Sequence, residues 1–382
     1  MKNKRGLLQA SLVFLENGKI MELPSTNIEI ETKPDFLKAL HRIYAWYEGE
    51  IIDRVPIRFS AHNEEYVNTN EIDYDPEKWK AVWFDTETVV DNFIKKIENK
   101  KFLAETFPVF WPNLGPDVYA AFYGCKLKYA DITSWSEPCV NDESDIDKLV
   151  FNKENEYFRK LNELTEYALE RCNNRYLVGY TDLHPGMDCV LAWRGSEKIC
   201  FDLLESPDMV RKMIEIASKD FKFIYEHFDS ILKRNGHLSI TWMGIPSLNK
   251  FHIPSCDFAT MISPKQFDEF ALPPIIDEIK IADHNIFHLD GKGVAKNIDV
   301  LLDLPEITAI QWVQGVGEDE PIMQWIPLIK KIQQAGKSIV LNLKKEELEG
   351  FIDAMSPEGL LLCVHEGDEK EQQRIINRIE KW

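Results

Sequence analysis

Short apolar runs alternate with longer amphipathic stretches along most of this chain, and this alternation constrains its fold more than any other feature. Eight strands are predicted, over residues 55–59, 107–111, 176–180, 238–243, 286–289, 309–313, 338–341 and 359–364. Stretches with helical periodicity separate them, as in residues 208–234 and 264–282. Continuous apolar strands are typical of parallel sheets whose faces are covered by helices. About eight strand–helix units favour a (β/α)8 TIM barrel, an α/β fold.

The first fifty residues precede this pattern. Residues 7–15 and 19–23 are predicted strands joined at Asn17-Gly18, a pair that tolerates the positive φ of a tight hairpin turn. Asp35 stands where it can cap an amphipathic helix that runs to Trp46. We therefore expect an N-terminal β-hairpin and helical extension over residues 1–50, and the barrel over residues 51–382.

Charge and composition exclude several classes of function. The net charge is −19, from 64 acidic and 45 basic side chains, and this argues against binding of nucleic acid, whose phosphates require a basic surface. No apolar run approaches the roughly 18 residues that a membrane span needs. The basic start of the chain is not followed by a small-residue cleavage site, so a cytoplasmic protein is expected. The seven cysteines form no CxxC pair and are predicted to be reduced thiols.

Candidate functional residues follow the predicted strands, where barrels carry their chemistry. His288 and Asp290 lie two residues apart on one strand and therefore share a face, so both can point at one metal ion or polar substrate. A core histidine paired with its neighbouring carboxylate is the alternative interpretation. Further candidates stand past other strands, namely Asp182, His184, Trp242, Asp257, Gln311, Trp312, Cys363 and Glu366.

Three stretches of the chain resemble the uroporphyrinogen decarboxylase superfamily. They are residues 256–270, His288-Leu289-Asp290-Gly291 and the strand at residues 359–362, and the resemblance extends from about Arg54 to the C-terminus. The superfamily contains tetrapyrrole decarboxylases and zinc-dependent, cobalamin-linked methyltransferases, so a TIM barrel is implied. The decarboxylases hold their many-carboxylate substrate with an Arg-Gln-Ala-Gly-Arg segment. Residues 54–62 lack that pattern, and the acidic charge also disfavours a polyanionic substrate.

The methyltransferase branch binds zinc through a His-x-Cys-Gly segment and a later cysteine on the last strand. Here Asp290 replaces the first of those cysteines, while either Cys363 or Glu366 occupies the position of the second. The resemblance thus implies a zinc site formed by His288, Asp290 and one of these two residues. A carboxylate in place of a thiolate makes the metal a harder Lewis acid, less suited to activating a thiol.

The predicted function is a zinc-dependent methyltransferase that acts on a small methylated substrate with a corrinoid protein, the partner that carries cobalamin. In this hypothesis the catalytic residues are His288, Asp290, Asp182 and His184, and the substrate contacts are Trp312, Gln311, Asp257 and Trp242. One alternative is a metal-free lyase or decarboxylase of a small organic acid, with His288 and Asp290 as acid and base. The other is a non-catalytic relative that keeps the barrel.

Overall fold

The computed structural model describes residues 10–14, 20–60 and 75–382. The strands are β1 Ala10–Phe14, β2 Ile20–Pro24, β3 Ile57–Ser60, β4 Val109–Phe110, β5 Lys126–Tyr129, β6 Ser134–Glu137, β7 Leu177–Val178, β8 Phe251–His252, β9 His284–Asp290, β10 Ile307–Val313, β11 Ser338–Leu343 and β12 Leu360–His365. The helices are α1 Phe36–Tyr47, α2 Pro76–Phe84, α3 Thr86–Ile97, α4 Val118–Ala121, α5 Glu156–Arg171, α6 Gly186–Arg194, α7 Ser196–Glu205, α8 Pro207–Lys219, α9 Phe221–Arg234, α10 Pro264–Gln266, α11 Leu272–Ile279, α12 Gly291–Ala295, α13 Ile298–Leu302, α14 Ile326–Gln334, α15 Leu348–Ala354 and α16 Glu369–Ile379.

Six parallel strands form the central sheet, in the order β3-β12-β11-β10-β9-β8. Successive side chains of a strand point to opposite faces, so the sheet divides the apolar residues into two cores. The concave face carries Ile286, Ala309, Val340 and Leu361, one from each of four strands. The convex face packs against the surrounding helices. The carboxyl ends of all six strands therefore meet at one edge.

The sheet curls into a half-barrel, and the residues that the structure describes do not form the predicted closed ladder of eight strands. β4 and β7 make a separate parallel pair of two residues each. Pro108 directly precedes β4 and Pro112 follows two residues after it, and neither has an N–H with which to extend the pairing. The strand predicted over residues 238–243 instead folds back, and Ser239 bridges Ser247 in antiparallel fashion. Where no strand ladder forms, single backbone hydrogen bonds join neighbouring segments. The N–H of Tyr180, for example, donates to the carbonyl of Ile240 at 2.9 Å.

The N-terminal segment covers the amino end of the half-barrel. β1 and β2 pair in antiparallel register, while the predicted turn at Asn17-Gly18 lies outside the described residues. α1 packs against the concave core. Trp46 donates its indole N–H to the carbonyl of Gly359 at 2.9 Å, and Ser338 donates its hydroxyl to the carbonyl of Trp46 at 2.5 Å. The N-terminal segment therefore lies at the end of the sheet opposite to the carboxyl edge, where the candidate site residues stand.

Asp35 precedes α1 as predicted, but its side chain does not cap the helix. Its carboxylate accepts a hydrogen bond from the ammonium of Lys33 at 2.7 Å. The Lys33 side chain is completely buried, and a buried cation requires a counter-charge more than the helix requires a cap. Across the described ranges, none of the helices is both long enough and apolar enough to cross a membrane.

Candidate metal site at the carboxyl edge of the sheet

His288 lies near the end of β9 with its ring held by the neighbouring strand. It is paired in register with Gln311 of β10. The ring Nδ1–H donates to the side-chain carbonyl of Gln311 at 2.7 Å, which leaves Nε2 available for another partner. The indole of Trp242 packs edge-on against the ring, with the centroids 5.5 Å apart. The hydrogen bond at Nδ1 thus fixes the orientation of the ring, and Nε2 remains available to a ligand.

Asp257 and Asp290 join His288 in a group that can bind a metal ion. Each residue contributes one potential ligand atom, and these three atoms lie within 4.8 Å of one another. Nε2 of His288 is 3.9 Å from a carboxylate oxygen of Asp257. Asp290 ends β9, and Gly291 adopts a φ of +71° that turns the chain into α12. The alternation of side chains along a strand predicted that His288 and Asp290 lie on the same face.

A second polar cluster supports the loop that carries Asp257. His184 contacts Asp182 through Nε2 at 2.8 Å and the hydroxyl of Ser255 through Nδ1 at 2.7 Å. The Ser255 hydroxyl also donates to Asp188 at 3.1 Å. Asp188, in the first turn of α6, accepts the backbone N–H groups of Asp257 at 3.0 Å and of Phe258 at 3.1 Å. A hydrogen-bonded chain therefore links the two predicted residues Asp182 and His184 to the position of Asp257.

The charges of this region shift the pKa values of two of its members. Burial would lower the pKa of His184, but the charge and hydrogen bond of Asp182, together with the charge of Asp188, raise it to about 10. Burial, followed by repulsion from Asp188, raises the pKa of Asp257 to about 6, although His288 opposes the shift. At neutral pH His184 is an imidazolium that balances the surrounding carboxylates.

Cys363 and Glu366, the two predicted alternatives for the last metal ligand, lie elsewhere on the same edge. Burial raises the pKa of the Cys363 thiol, which contacts the guanidinium of Arg58 on β3. Glu366 pairs with Lys345 at 3.0 Å and accepts the backbone N–H of Asp368 at 2.9 Å. The structure brings Asp257, rather than either of these residues, to His288 and Asp290. Cys363 and Glu366 instead line a cleft of about 880 Å³.

Trp312, predicted to contact substrate, lies on the convex face of the sheet. Its side chain is completely buried and packs against Trp325, with ring centroids 4.8 Å apart. Adjacent strand residues face opposite sides, so Gln311 is the residue that lies beside His288.

Sequence reasoning missed Asp188, Ser255 and the interior position of Arg58. The signal for Asp188 was an acidic residue in the first turn of a helix that begins directly after a strand-end histidine. Arg58 is half-buried and makes no ion pair with any residue that the structure describes. Its guanidinium lies over Gly244, where an added Cβ would be 3.8 Å from it.

Comparison with known proteins identifies a similar fold but no family. No protein-family model matches the sequence, and no curated protein matches it. Among solved structures, a methyltransferase from Methanosarcina mazei superposes with a TM-score of 0.60 over 90% of this chain and 98% of that chain. The two sequences are 10% identical, so the likeness shows a common fold and nothing finer.

Proposed function

We propose that this protein is a metal-dependent methyltransferase whose divalent ion, zinc, is bound by Asp257, His288 and Asp290. The observation that carries the proposal is the convergence of these three ligand atoms within 4.8 Å at the carboxyl edge of the sheet. The methyltransferase fold of the Methanosarcina mazei neighbour and the resemblance of residues 288–291 to a zinc-binding segment support the reaction class.

The donor set fits zinc, which accepts imidazole nitrogen and carboxylate oxygen and leaves a position open for substrate in catalytic sites. The hydrogen bond from His288 to Gln311 is the kind of outer contact that fixes the orientation of a metal-binding histidine. With two carboxylates among the ligands, the ion would act as a hard Lewis acid that polarises the methyl donor. Trp242 packs edge-on against the His288 ring, and Asp188 accepts the backbone N–H of Asp257 and so holds its loop in place.

The methyl donor in this proposal is a small methylated molecule, and the methyl group passes to a corrinoid carried by a partner protein. The cleft of about 880 Å³ lies at the same edge of the sheet and is lined by polar groups that include Ser60, Asn342 and Cys363. Its lining contains none of the three proposed ligands but reaches Val313, the residue paired in register with Asp290. A cleft of this size offers room for a small substrate, and its polar lining can orient one.

Metal content tests the proposal directly. Protein purified without chelator is analysed for zinc and other divalent metals, as wild type and as His288→Ala, Asp257→Ala and Cys363→Ala. We expect near-stoichiometric zinc in wild type and in Cys363→Ala, and loss of zinc from the other two variants. Absence of metal from wild-type protein after incubation with zinc would refute the site. Loss from Cys363→Ala alone would restore the cysteine as a ligand.

Turnover tests the reaction class. Zinc-loaded protein is incubated with reduced cobalamin and a panel of methylated amines, thiols and alcohols, while the corrin absorbance is followed. Methyl transfer that disappears on chelation and returns with zinc supports the proposal. If zinc binds but no donor in the panel is demethylated, the metal site stands and the proposed substrate class fails.

The alternative function is a metal-free lyase that acts on a small organic acid. The proximity of His288 Nε2 to Asp257, at 3.9 Å, favours it, because an imidazole beside a carboxylate can transfer protons. Loss of carbon dioxide from a small acid, unchanged by chelator and abolished in His288→Ala, would select this function over methyl transfer.

A further inference from the structure

A hairpin remote from the strand-end residues brings two cysteine thiols into contact. β5 and β6 pair in antiparallel register from Lys126 with Glu137 to Tyr129 with Ser134. Cys125 directly precedes β5, and Cys139 follows β6 by two residues. Their sulfur atoms are 2.7 Å apart, and both residues are free thiols.

The two thiols differ in environment and reactivity. Cys125 is buried, whereas Cys139 is half-buried. The Cys125 S–H donates to the sulfur of Cys139, and this hydrogen bond lowers the pKa of Cys139 while it raises that of Cys125. Thiolate character and accessibility together determine which cysteine an oxidant attacks. We therefore expect Cys139 to react first with an oxidant, and Cys125 lies close enough to react with its product.

The surrounding backbone holds this geometry. The N–H groups of Cys139 and Val140 both donate to the carbonyl of Trp193, at 2.8 and 2.9 Å, near the end of α6. Ser136 donates its hydroxyl to the carbonyl of Ala192 at 2.9 Å. A disulfide has its sulfur atoms about 2.05 Å apart, so bond formation requires a movement of less than 1 Å.

We propose that Cys125 and Cys139 form an oxidisable dithiol that a hydroperoxide converts to an intramolecular disulfide. The Cys139 thiolate attacks one peroxide oxygen, so that an S–O bond forms, the O–O bond breaks and hydroxide leaves to take up a proton. The Cys125 thiol then attacks the resulting sulfenic acid, an S–S bond forms and water leaves. Two thiols are oxidised by two electrons in total, and hydrogen peroxide is reduced to two water molecules.

Hydrogen bonds connect the hairpin to the helix that carries Asp188. The hairpin is hydrogen-bonded to the last residues of α6, and the first turn of α6 carries Asp188, which holds the Asp257 loop. The proposal is independent of the methyltransferase function, because it concerns only the two thiols and their immediate neighbours.

The test uses folded, full-length protein treated with hydrogen peroxide in native buffer and then alkylated. We expect the loss of two alkylatable thiols, a fall in intact mass of about 2 Da before alkylation, and a Cys125–Cys139 cross-linked peptide. Dithiothreitol should restore both thiols. Retention of both thiols in wild-type protein, or a disulfide that joins other cysteines, would overturn the proposal whatever the variants do.

Three variants test the order of the two steps. Cys139→Ser should abolish the cross-link, and Cys125→Ser should leave a sulfenic acid on Cys139 that dimedone traps. Cys200→Ser, which changes a half-buried cysteine on α7, is the matched control and should cross-link like the wild type. Circular dichroism verifies that each variant is folded. If dimedone labels Cys125 in Cys139→Ser faster than it labels Cys139 in Cys125→Ser, the assignment of the first reacting thiol is contradicted.

Discussion

The amide of Gln311 holds the ring of His288 from the neighbouring strand, with Nδ1 of the histidine 2.7 Å from the amide oxygen. The two residues are paired in the register of β9 and β10, so the sheet itself sets their separation. Because the oxygen can only accept, a proton must lie on Nδ1, so in the neutral ring Nε2 is the nitrogen with the free lone pair. Nε2, the nitrogen that faces Asp257, is therefore already oriented to bind a metal ion.

Removal of this contact should weaken metal binding without removing a ligand. We expect Gln311→Ala to lower zinc affinity by about 10- to 100-fold, because the ring loses the partner that fixes its orientation and tautomer. Competition with a chromophoric chelator measures the affinity. Asn342→Ala is the control, since this exposed residue on the same edge does not contact His288. Equal affinities in Gln311→Ala and wild type would show that the hydrogen bond does not organise the site.

A buried charge network at the first strand of the sheet should be necessary for stability. The Glu105 side chain is completely buried, pairs with Arg42 at 3.1 Å and Arg54 at 2.7 Å, and accepts the backbone N–H of Ile57 at 2.8 Å. Glu105→Gln leaves the buried guanidinium of Arg54 without an anion, while Arg42 loses one of its two carboxylates and keeps Asp53. We expect the free energy of unfolding to fall by about 3–5 kcal/mol in urea denaturation.

An exposed ion pair provides the control for that experiment. Lys101 and Glu369 are 2.9 Å apart, but both side chains are more than half exposed. Glu369→Gln should change the free energy of unfolding by less than about 1 kcal/mol. If the two variants lose equal stability, burial does not govern the contribution of these charges.

His237 should make the folded state sensitive to acid. Its Nδ1 accepts the backbone N–H of Val178 at 3.1 Å, so the ring must be neutral, and burial lowers its pKa from 6.5 to about 4. Between these values the unfolded chain binds a proton that the folded chain does not. The stability that His237 contributes is therefore complete above about pH 6.5 and is lost as the pH falls toward 4.

The size of this effect can be isolated by comparison with His237→Gln. At pH 5.5 the proton taken up by the unfolded chain costs the folded state about 1 kcal/mol relative to pH 7.5. Urea denaturation of both proteins at the two pH values should give a smaller pH difference in the variant, by about that amount. An identical pH difference in the two proteins would exclude His237 as its source.

Gly115 should not tolerate a side chain. It has a φ of +101°, and an added Cβ would lie 1.7 Å from the hydroxyl of Ser134, which donates to the carbonyl of Leu114. We expect Gly115→Ala to reduce the free energy of unfolding by about 2–4 kcal/mol, from steric overlap and backbone strain together. Gly236 also has a positive φ, of +76°, but among the described residues no atom lies within 4 Å of an added Cβ. We therefore expect Gly236→Ala to lower the free energy of unfolding by only about 1 kcal/mol, from backbone strain alone. Equal decreases in the two variants would contradict the steric argument.

The sequence predicts the last four strands of the sheet well, because each is a buried apolar run between helical patterns. The hydrophobic pattern does not predict where the strand pairing is interrupted. Prolines lie beside β4, and the chain reverses direction between Ser239 and Ser247. Both features change backbone hydrogen bonding without changing the spacing of apolar residues. Strand parity indicates that His288 and Asp290 share a face. The approach of Asp257 depends on hydrogen bonds to Asp188, a residue distant in sequence, so no local pattern could indicate it.

The contact between Trp46 and Gly359 joins residues separated by 313 positions in the chain. As the protein is synthesised, the apolar face of α1 therefore leaves the ribosome long before the concave core that it packs against is complete. Until β12 emerges, that face lacks part of its native packing. A nascent chain that stalls before Gly359 lacks the contact that Trp46 makes there, so α1, although made long before β12, is among the last elements to reach its complete native environment.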